Sequence, residues 1–265
     1  MPRKKIGFLK THKCASTTVQ NILLRYAIKH NLNVVLPETD ANVEMSGDPM
    51  YHTYWNVNLP RNPISNEIRK GLNLKYDMFV LHTRWNHRKI SRNLNDQGKN
   101  DVFYFSILRE PVEAYRSFFD YFKLSNQYSK TLDEYAKTVI RKYVLYNNMT
   151  RRLPGYNQMF TDFGMHFNEM YKRNMSLADK KMITEELIKK LNEIDHTFDL
   201  ILLADEDHFE DGIILLKHAL CWEFEDIINV KRNTFGDHHP ARPNIGPNTK
   251  STLSDESRSI IKGTN

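Results

Sequence analysis

The sequence predicts an α/β fold, a central parallel sheet flanked by helices. Three observations lead there. Short apolar runs at residues 6–9, 78–81, 102–108 and 198–204 have the length and the polar flanks of buried strands. Stretches with apolar residues at three- and four-residue spacing alternate with them, and such alternation calls for helices on both faces of a parallel sheet. The polar residues with the most chemistry, 10–18, 82–84 and 109, follow directly after strands, where open α/β sheets place their ligands.

Taken in order, residues 6–9 form the first strand and 10–16 a polar turn. A helix follows from Thr17, with Val19, Ile22, Leu23, Tyr26 and Ala27 on one face and Asn31 and Asn33 as stop signals. Residues 36–75 read as loop, because Pro37, Gly47-Asp48-Pro49, Pro60 and Pro63 interrupt any long element. The second strand ends at His82 and the third at Arg109-Glu110-Pro111. Pro111 suits the first turn of the next helix, whose stripe is Val112, Tyr115, Phe118, Phe119 and Phe122. Helices are expected at 132–146, 177–194 and 212–220, with the fourth strand at 198–204. No repeat or low-complexity tract interrupts this pattern.

Composition narrows the function classes. The chain has 265 residues, 40% of them hydrophobic and 26% charged, enough for an enzyme-sized core in one large domain or two small ones. A formal charge of +6 points to anionic ligands. The basic residues are dispersed and form no nucleic-acid-binding motif, so no nucleic acid partner is expected. Cys14 and Cys221 are the only cysteines, which excludes a disulfide framework. The apolar start at Ile6 is too short for a signal peptide or membrane anchor, so the chain as written reads as soluble, without a membrane span. Asn148 and Asn174 begin Asn-x-Ser/Thr triplets.

Three groups of residues carry chemistry. In Lys10-Thr11-His12-Lys13-Cys14-Ala15-Ser16-Thr17-Thr18, a loop opens into a helix N-terminus. There backbone N–H groups, the helix dipole, lysine charge and hydroxyl donors suit an anion. The same residues also fit a Ser/Thr helix cap after a solvated basic turn. Arg109 at a strand end and Ser117 eight residues later could grip one phosphate, or form a surface Arg109–Glu110 pair beside a solvent-facing serine. His82, followed by Thr83, Arg84 and His87, stands where a general base could act near neutral pH. His208 and His238-His239 lack ligand partners at metal-binding spacing, so no metal is expected.

Together these groups resemble a known family. Residues 9–18 are similar to the 5′-phosphosulfate loop of membrane-type carbohydrate sulfotransferases, and residues 106–122 to their 3′-phosphate motif. The likeness is closest to the galactose 3-O-sulfotransferases, the group that contains galactosylceramide sulfotransferase. It is carried by Phe8-Leu9-Lys10-Thr11-His12-Lys13 with Ser16-Thr17-Thr18 and Asn21-Ile22-Leu23, and by Ile107-Leu108-Arg109-Glu110-Pro111-Val112. Tyr156-Asn157-Gln158-Met159, Asp162-Phe163-Gly164, Phe198-Asp199-Leu200-Ile201-Leu202-Leu203 and Leu220-Cys221-Trp222 extend it across roughly residues 6–235.

The resemblance implies a P-loop-like sulfotransferase fold, a single domain over 1–265, and 3′-phosphoadenosine 5′-phosphosulfate (PAPS) as donor, without a metal. It gives the donor site to Lys10, Thr11, Lys13, Cys14, Ala15, Ser16, Thr17 and Thr18 at the 5′ end, and to Arg109 and Ser117 at the 3′-phosphate. Lys13 would stabilise charge on the bridging oxygen, with His12 close to the transferred group. His82 is the first choice for the base and His12 the second. The acceptor would be a galactose hydroxyl, the 3-OH, of a glycolipid or glycoprotein glycan, chosen by residues within 36–75 and 156–166. The family works in the Golgi lumen, membrane-associated. Against its usual pattern the chain is expected to lack the N-terminal anchor and to be incomplete at its C-terminus. Two rival readings are a non-catalytic sulfotransferase-like binding protein and an ATP-using P-loop enzyme; the absence of G-x-x-x-x-G-K-[ST] argues against the latter.

Overall fold

The computed structural model describes residues 1–36, 42–45, 48–52, 71–72, 75–98, 101–142, 158–165, 176–229 and 251–262. The chain begins with β1 (Ile6–Leu9), α1 (Ser16–Lys29), a hairpin of β2 (Asn42–Met45) and β3 (Asp48–His52), and β4 (Met78–Phe79). It continues through α2 (His87–Asn93), β5 (Phe103–Leu108), α3 (Pro111–Tyr121), α4 (Leu124–Tyr128) and α5 (Leu132–Tyr135). Then come α6 (Gln158–Asp162), α7 (Leu177–Thr197), β6 (Leu200–Leu203), α8 (Phe209–Leu220), α9 (Phe224–Ile227) and α10 (Asp255–Lys262).

All four apolar runs join one parallel sheet in the order β4-β1-β5-β6. Alternate side chains divide between two cores, as the period of a strand requires. Ile6, Phe8, Phe103, Phe105 and Ile107 pack with Val19, Ile22 and Leu23 of α1 and with Ile213, Leu216 and Leu220 of α8. Leu9 and Tyr104 face the other way, toward Trp85, Ile90, Phe163 and Phe198. Gly7 is what lets the Tyr104 ring lie across β1, since a Cβ there would stand 2.4 Å from the ring. The Tyr104 hydroxyl then reaches over to donate to Asp96 at 2.8 Å. A third cluster joins α3 (Val112, Tyr115, Phe119) to Tyr135, Ile140 and, from α10, Ile260 and Ile261.

The structure corrects the sequence expectations at several points. Residues 36–75 are not loop throughout, because 42–52 contains the antiparallel pair β2–β3. Pro49 sits within it, opposite Glu44; a two-stranded pair consists of edges only, where proline is tolerated. The helix expected at 132–146 is α5 followed by a π-helical stretch, Ala136–Ile140, and its part beyond residue 142 lies outside the described residues. α7 runs on to Thr197 and α8 begins earlier, at Phe209. Short α2, α4, α6 and α9 and the terminal α10 were not anticipated, since one or two turns give too few residues to display a period. Asn148, Asn174 and His238-His239 lie outside the described residues. Among the described residues, no helix is long and apolar enough to cross a membrane.

Candidate functional site

From β1 the chain crosses first to β4 on one side, and then returns to β5 on the other. This reversal leaves a crevice at the carboxyl ends of β1 and β5, the position where open α/β sheets bind ligands. The loop between β1 and α1 enters it from one strand, Arg109 from the other.

Much of the loop is fastened downward. The Thr11 hydroxyl donates to the Ile107 carbonyl, and Ser106 Oγ donates back to the Leu9 carbonyl at 3.0 Å. Ser16 Oγ donates to the Thr11 carbonyl at 2.5 Å, and the Cys14 thiol to the His12 carbonyl at 3.2 Å. Burial pushes that thiol up to about 12, so it remains protonated and unreactive at neutral pH. Lys10 is only 4% exposed; its Nζ donates to Gln20 Oε1 at 2.7 Å, and Gln20 Nε2 donates to the Val80 carbonyl at 2.8 Å. Burial, aided by the nearby charge of Lys13, lowers the Lys10 ammonium to about 7.

The rest of the loop faces the crevice. Lys13 and Ala15 both adopt left-handed backbone, at φ 61° and 52°. Neither is glycine, so each conformation costs on the order of 1–3 kcal/mol and is held by the fastenings below it. Ala15 is the N-cap of α1 and makes no side-chain cap, while the first turn holds no acidic residue. An anionic oxygen is the partner these first-turn amides can take. Lys13 Nζ lies 3.6 Å from the centre of the Tyr121 ring, and Arg109 Nη1 donates to the Lys13 carbonyl at 3.2 Å. Thr17 is half-buried on α1, and Ser117 is half-buried on α3, two turns beyond Arg109.

His12 is the best-braced group in the crevice. Its backbone N–H donates to Asp162 Oδ2 at 2.8 Å, and its Nδ1 stands 2.9 Å from Asp162 Oδ1. Asp162 is 2% exposed and also accepts from Gln158 Nε2 at 2.9 Å. A carboxylate at Nδ1 fixes the tautomer with the proton there and leaves Nε2 unprotonated. Asp162 is itself positioned by its backbone: its carbonyl accepts from the Trp85 N–H at 2.7 Å. Two residues on, Gly164 has φ +82°, and a Cβ there would stand 2.6 Å from the Trp85 carbonyl oxygen. The His82 ring stacks on His12, centroids 4.0 Å apart, and its Nδ1 donates to the Lys10 carbonyl at 2.7 Å. Desolvation, with the neighbouring His12 and Lys10, holds the His82 imidazole well below its usual range.

The residues singled out from the sequence thus gather in one place, but in two layers. Lys10, Thr11, Cys14 and Ser16 form the underside, their donors committed to protein acceptors. Thr18 is 4% exposed, and its N–H bonds the Ala15 carbonyl at 3.0 Å. His12, Lys13, Thr17 and Arg109 are half-buried and Ala15 is exposed, and they form the more accessible layer, the mouth. Motif reading missed Asp162 and Gln158 as partners of His12, Gln20 as the partner of Lys10, and Tyr121 under Lys13. For the first two a signal existed, because they lie in blocks that carry the family resemblance. Among the described residues, no three His, Cys, Asp or Glu side chains come together to hold a metal ion.

Comparison with known proteins gives the family. Mouse (Mus musculus) galactose-3-O-sulfotransferase 2 is 31% identical over 235 residues, covering 88% of this chain and 53% of its own length. The human (Homo sapiens) protein of the same name is 29% identical over 251 residues, 94% of this chain and 55% of its own. Human galactosylceramide sulfotransferase is 27% identical over 242 residues, 89% of this chain and 50% of its own. The chain therefore spans about half the length of the curated relatives it matches. The family model described as Galactose-3-O-sulfotransferase matches residues 1–252, and the chain belongs to that family.

Proposed function

We propose that this chain carries a PAPS-dependent transfer of a sulfuryl group to a galactose hydroxyl, the 3-OH, of a glycolipid or glycoprotein glycan. The observation that carries the reading is the His12–Asp162 pair, set beside Lys13, Arg109 and the uncapped start of α1. A base and an anion cradle share one crevice, which is what sulfuryl transfer between a nucleotide and an alcohol requires. The residues fit PAPS: the mouth of the loop suits its 5′-phosphosulfate, and Arg109 with Ser117 its 3′-phosphate. Bound PAPS supplies sulfur activated for attack, the acceptor oxygen forming the new S–O bond as the bond to the 5′-phosphate breaks. His12 Nε2 takes the acceptor proton, Asp162 stabilises the resulting imidazolium, and Lys13 offsets the charge left on phosphate oxygen.

This assignment reverses the order of the two histidines. Burial disfavours the charged imidazolium at His82, the form a base must adopt when it takes a proton. Its hydrogen bond to the Lys10 carbonyl and its stacking on His12 make it a positioning residue. The galactose acceptor and the Golgi lumen as compartment rest on the family alone.

Calorimetric titration with adenosine 3′,5′-bisphosphate tests the donor site. Micromolar or tighter binding, weakened in Arg109→Ala, supports it, and sulfation of simple galactosides is then assayed directly. No binding by a demonstrably folded chain removes the reading.

A further inference from the structure

Arg109 is followed directly by a carboxylate. Glu110 is the N-cap of α3, its Oε2 accepting from the Glu113 N–H at 2.9 Å, and Glu113 itself stands in the first turn. Acidic groups suit the start of a helix. Here they also stand beside the arginine that the proposed donor site gives to a phosphate. Left alone, they would repel that phosphate or draw Arg109 into the Arg109–Glu110 surface pair that the sequence also allows. In the structure both carboxylates are engaged elsewhere. Lys262 Nζ lies 3.3 Å from Glu110 Oε1. Arg258 Nη1 donates to Glu113 Oε1 at 3.4 Å, and Arg116 pairs with the other Glu113 oxygen. Arg109 has no carboxylate partner among the described residues; its Nη1 donates to the Lys13 carbonyl.

Lys262 and Arg258 both come from α10, one helical turn apart and therefore on one face. That helix is firmly seated. Ile260 and Ile261 are buried in the cluster shared with α3. Ser257 is fully buried, its Oγ donating to the Asp133 carbonyl at 3.3 Å, and Ser254 Oγ donates to Asp133 Oδ1 at 2.7 Å. Arg141 Nη1 donates to Glu256 Oε1 at 2.8 Å. We infer that Lys262 and Arg258 are positioning residues for donor binding: they neutralise Glu110 and Glu113 at the start of α3 and so leave Arg109 to the nucleotide 3′-phosphate. The inference rests on the reading of Arg109 and Ser117 as the 3′-phosphate site. It extends that site to a helix outside residues 1–252, which the family model matches. The Lys262 and Glu110 side chains are 49% and 40% exposed, too open for their pair to hold the fold. Exposed charges are still felt over about 10 Å at 0.1 M salt, and Glu110 is the next residue to Arg109.

Calorimetric titration of the full chain with adenosine 3′,5′-bisphosphate tests the inference as a charge cycle. Lys262→Met keeps the aliphatic stem and removes the cation, which leaves the Glu110 carboxylate uncompensated. Glu110→Gln keeps an oxygen for the α3 cap and removes the anion, so the double variant restores the neutral sum of the pair. Lys262→Met should weaken nucleotide binding about 3- to 10-fold at low ionic strength, and the loss should shrink as salt is raised. Thermal unfolding should stay near that of the parent chain. Adding Glu110→Gln to Lys262→Met should return the affinity to within about twofold of the parent's. A Lys262→Met chain that binds like the parent overturns the inference. So does a loss that Glu110→Gln does not recover, since a helix acting through packing alone would give that result. Arg109→Ala, measured alongside, separates this inference from the donor reading. Binding that weakens in Arg109→Ala but not in Lys262→Met sinks the part given to α10 alone; a parent chain that binds no bisphosphate sinks both.

Discussion

The underside and the mouth of the loop after β1 are built from the same kinds of residue, yet they do opposite things. Lys10 and Lys13 stand three positions apart. Lys10 is buried, bonded to Gln20 and lowered to about 7; Lys13 is half-buried, in left-handed backbone, with its ammonium over Tyr121. His82 and His12 stack ring on ring, but one donates to a backbone carbonyl and the other is braced by a buried carboxylate. Residue type therefore does not assign the role. What each donor is bonded to does, and the two layers need each other, since the strained mouth is held by the fastened underside.

The widest separation between the layers is expected at the mouth. His12→Ala should lower kcat by about 10² to 10⁴ while thermal unfolding stays near that of the parent chain. Asp162→Asn should lower kcat less than that, because the imidazole keeps its place but loses the carboxylate that supports it. A His12→Ala protein with full turnover would return His82 to the role of base. Lys13→Ala should cost about 10² to 10³ in kcat, again in a folded protein.

Arg109→Ala sharpens the comparison from the β5 side. The expected loss is about 10- to 100-fold in affinity for adenosine 3′,5′-bisphosphate, appearing as a raised KM for the donor with a smaller change in kcat. Unaltered nucleotide affinity would move the 3′-phosphate away from this strand end.

At the underside the effect should fall on stability. Thr11→Val leaves the Ile107 carbonyl without its hydroxyl donor and should destabilise by about 1–3 kcal/mol, read by denaturant titration. A fall in kcat larger than the loss of folded protein would show that Thr11 touches the reaction. Lys10 gives the smallest and most particular signal. Its ammonium releases a proton near pH 7 in the folded chain and near 10.5 when unfolded. Between those values the unfolded chain binds more protons, so stability rises with pH, by at most about 1.4 kcal/mol per unit. Below pH 7 both states are protonated and the burial penalty is present in full. In Lys10→Met the rise between pH 7 and 10.5 should disappear from the melting curves.

Local pattern, by itself, determined the framework. Four apolar runs became the four strands of the parallel sheet, and the periodic stripes after residues 16 and 111 became α1 and α3. Apolar periodicity is a property of adjacent residues, and burial enforces it whatever the surroundings. It also brought the loop after β1 and Arg109 to one edge, because polar residues following parallel strands share an end of the sheet. The tertiary structure alone decided which of those residues point inward. Asp162 meets His12 across 150 positions of sequence, and Thr11 meets Ile107 across 96. Arg258 of α10 meets Glu113 of α3 across 145. A hydroxyl, lysine or imidazole is scaffold or reagent according to the partner that packing brings to it, and such partners leave no periodic trace in the sequence.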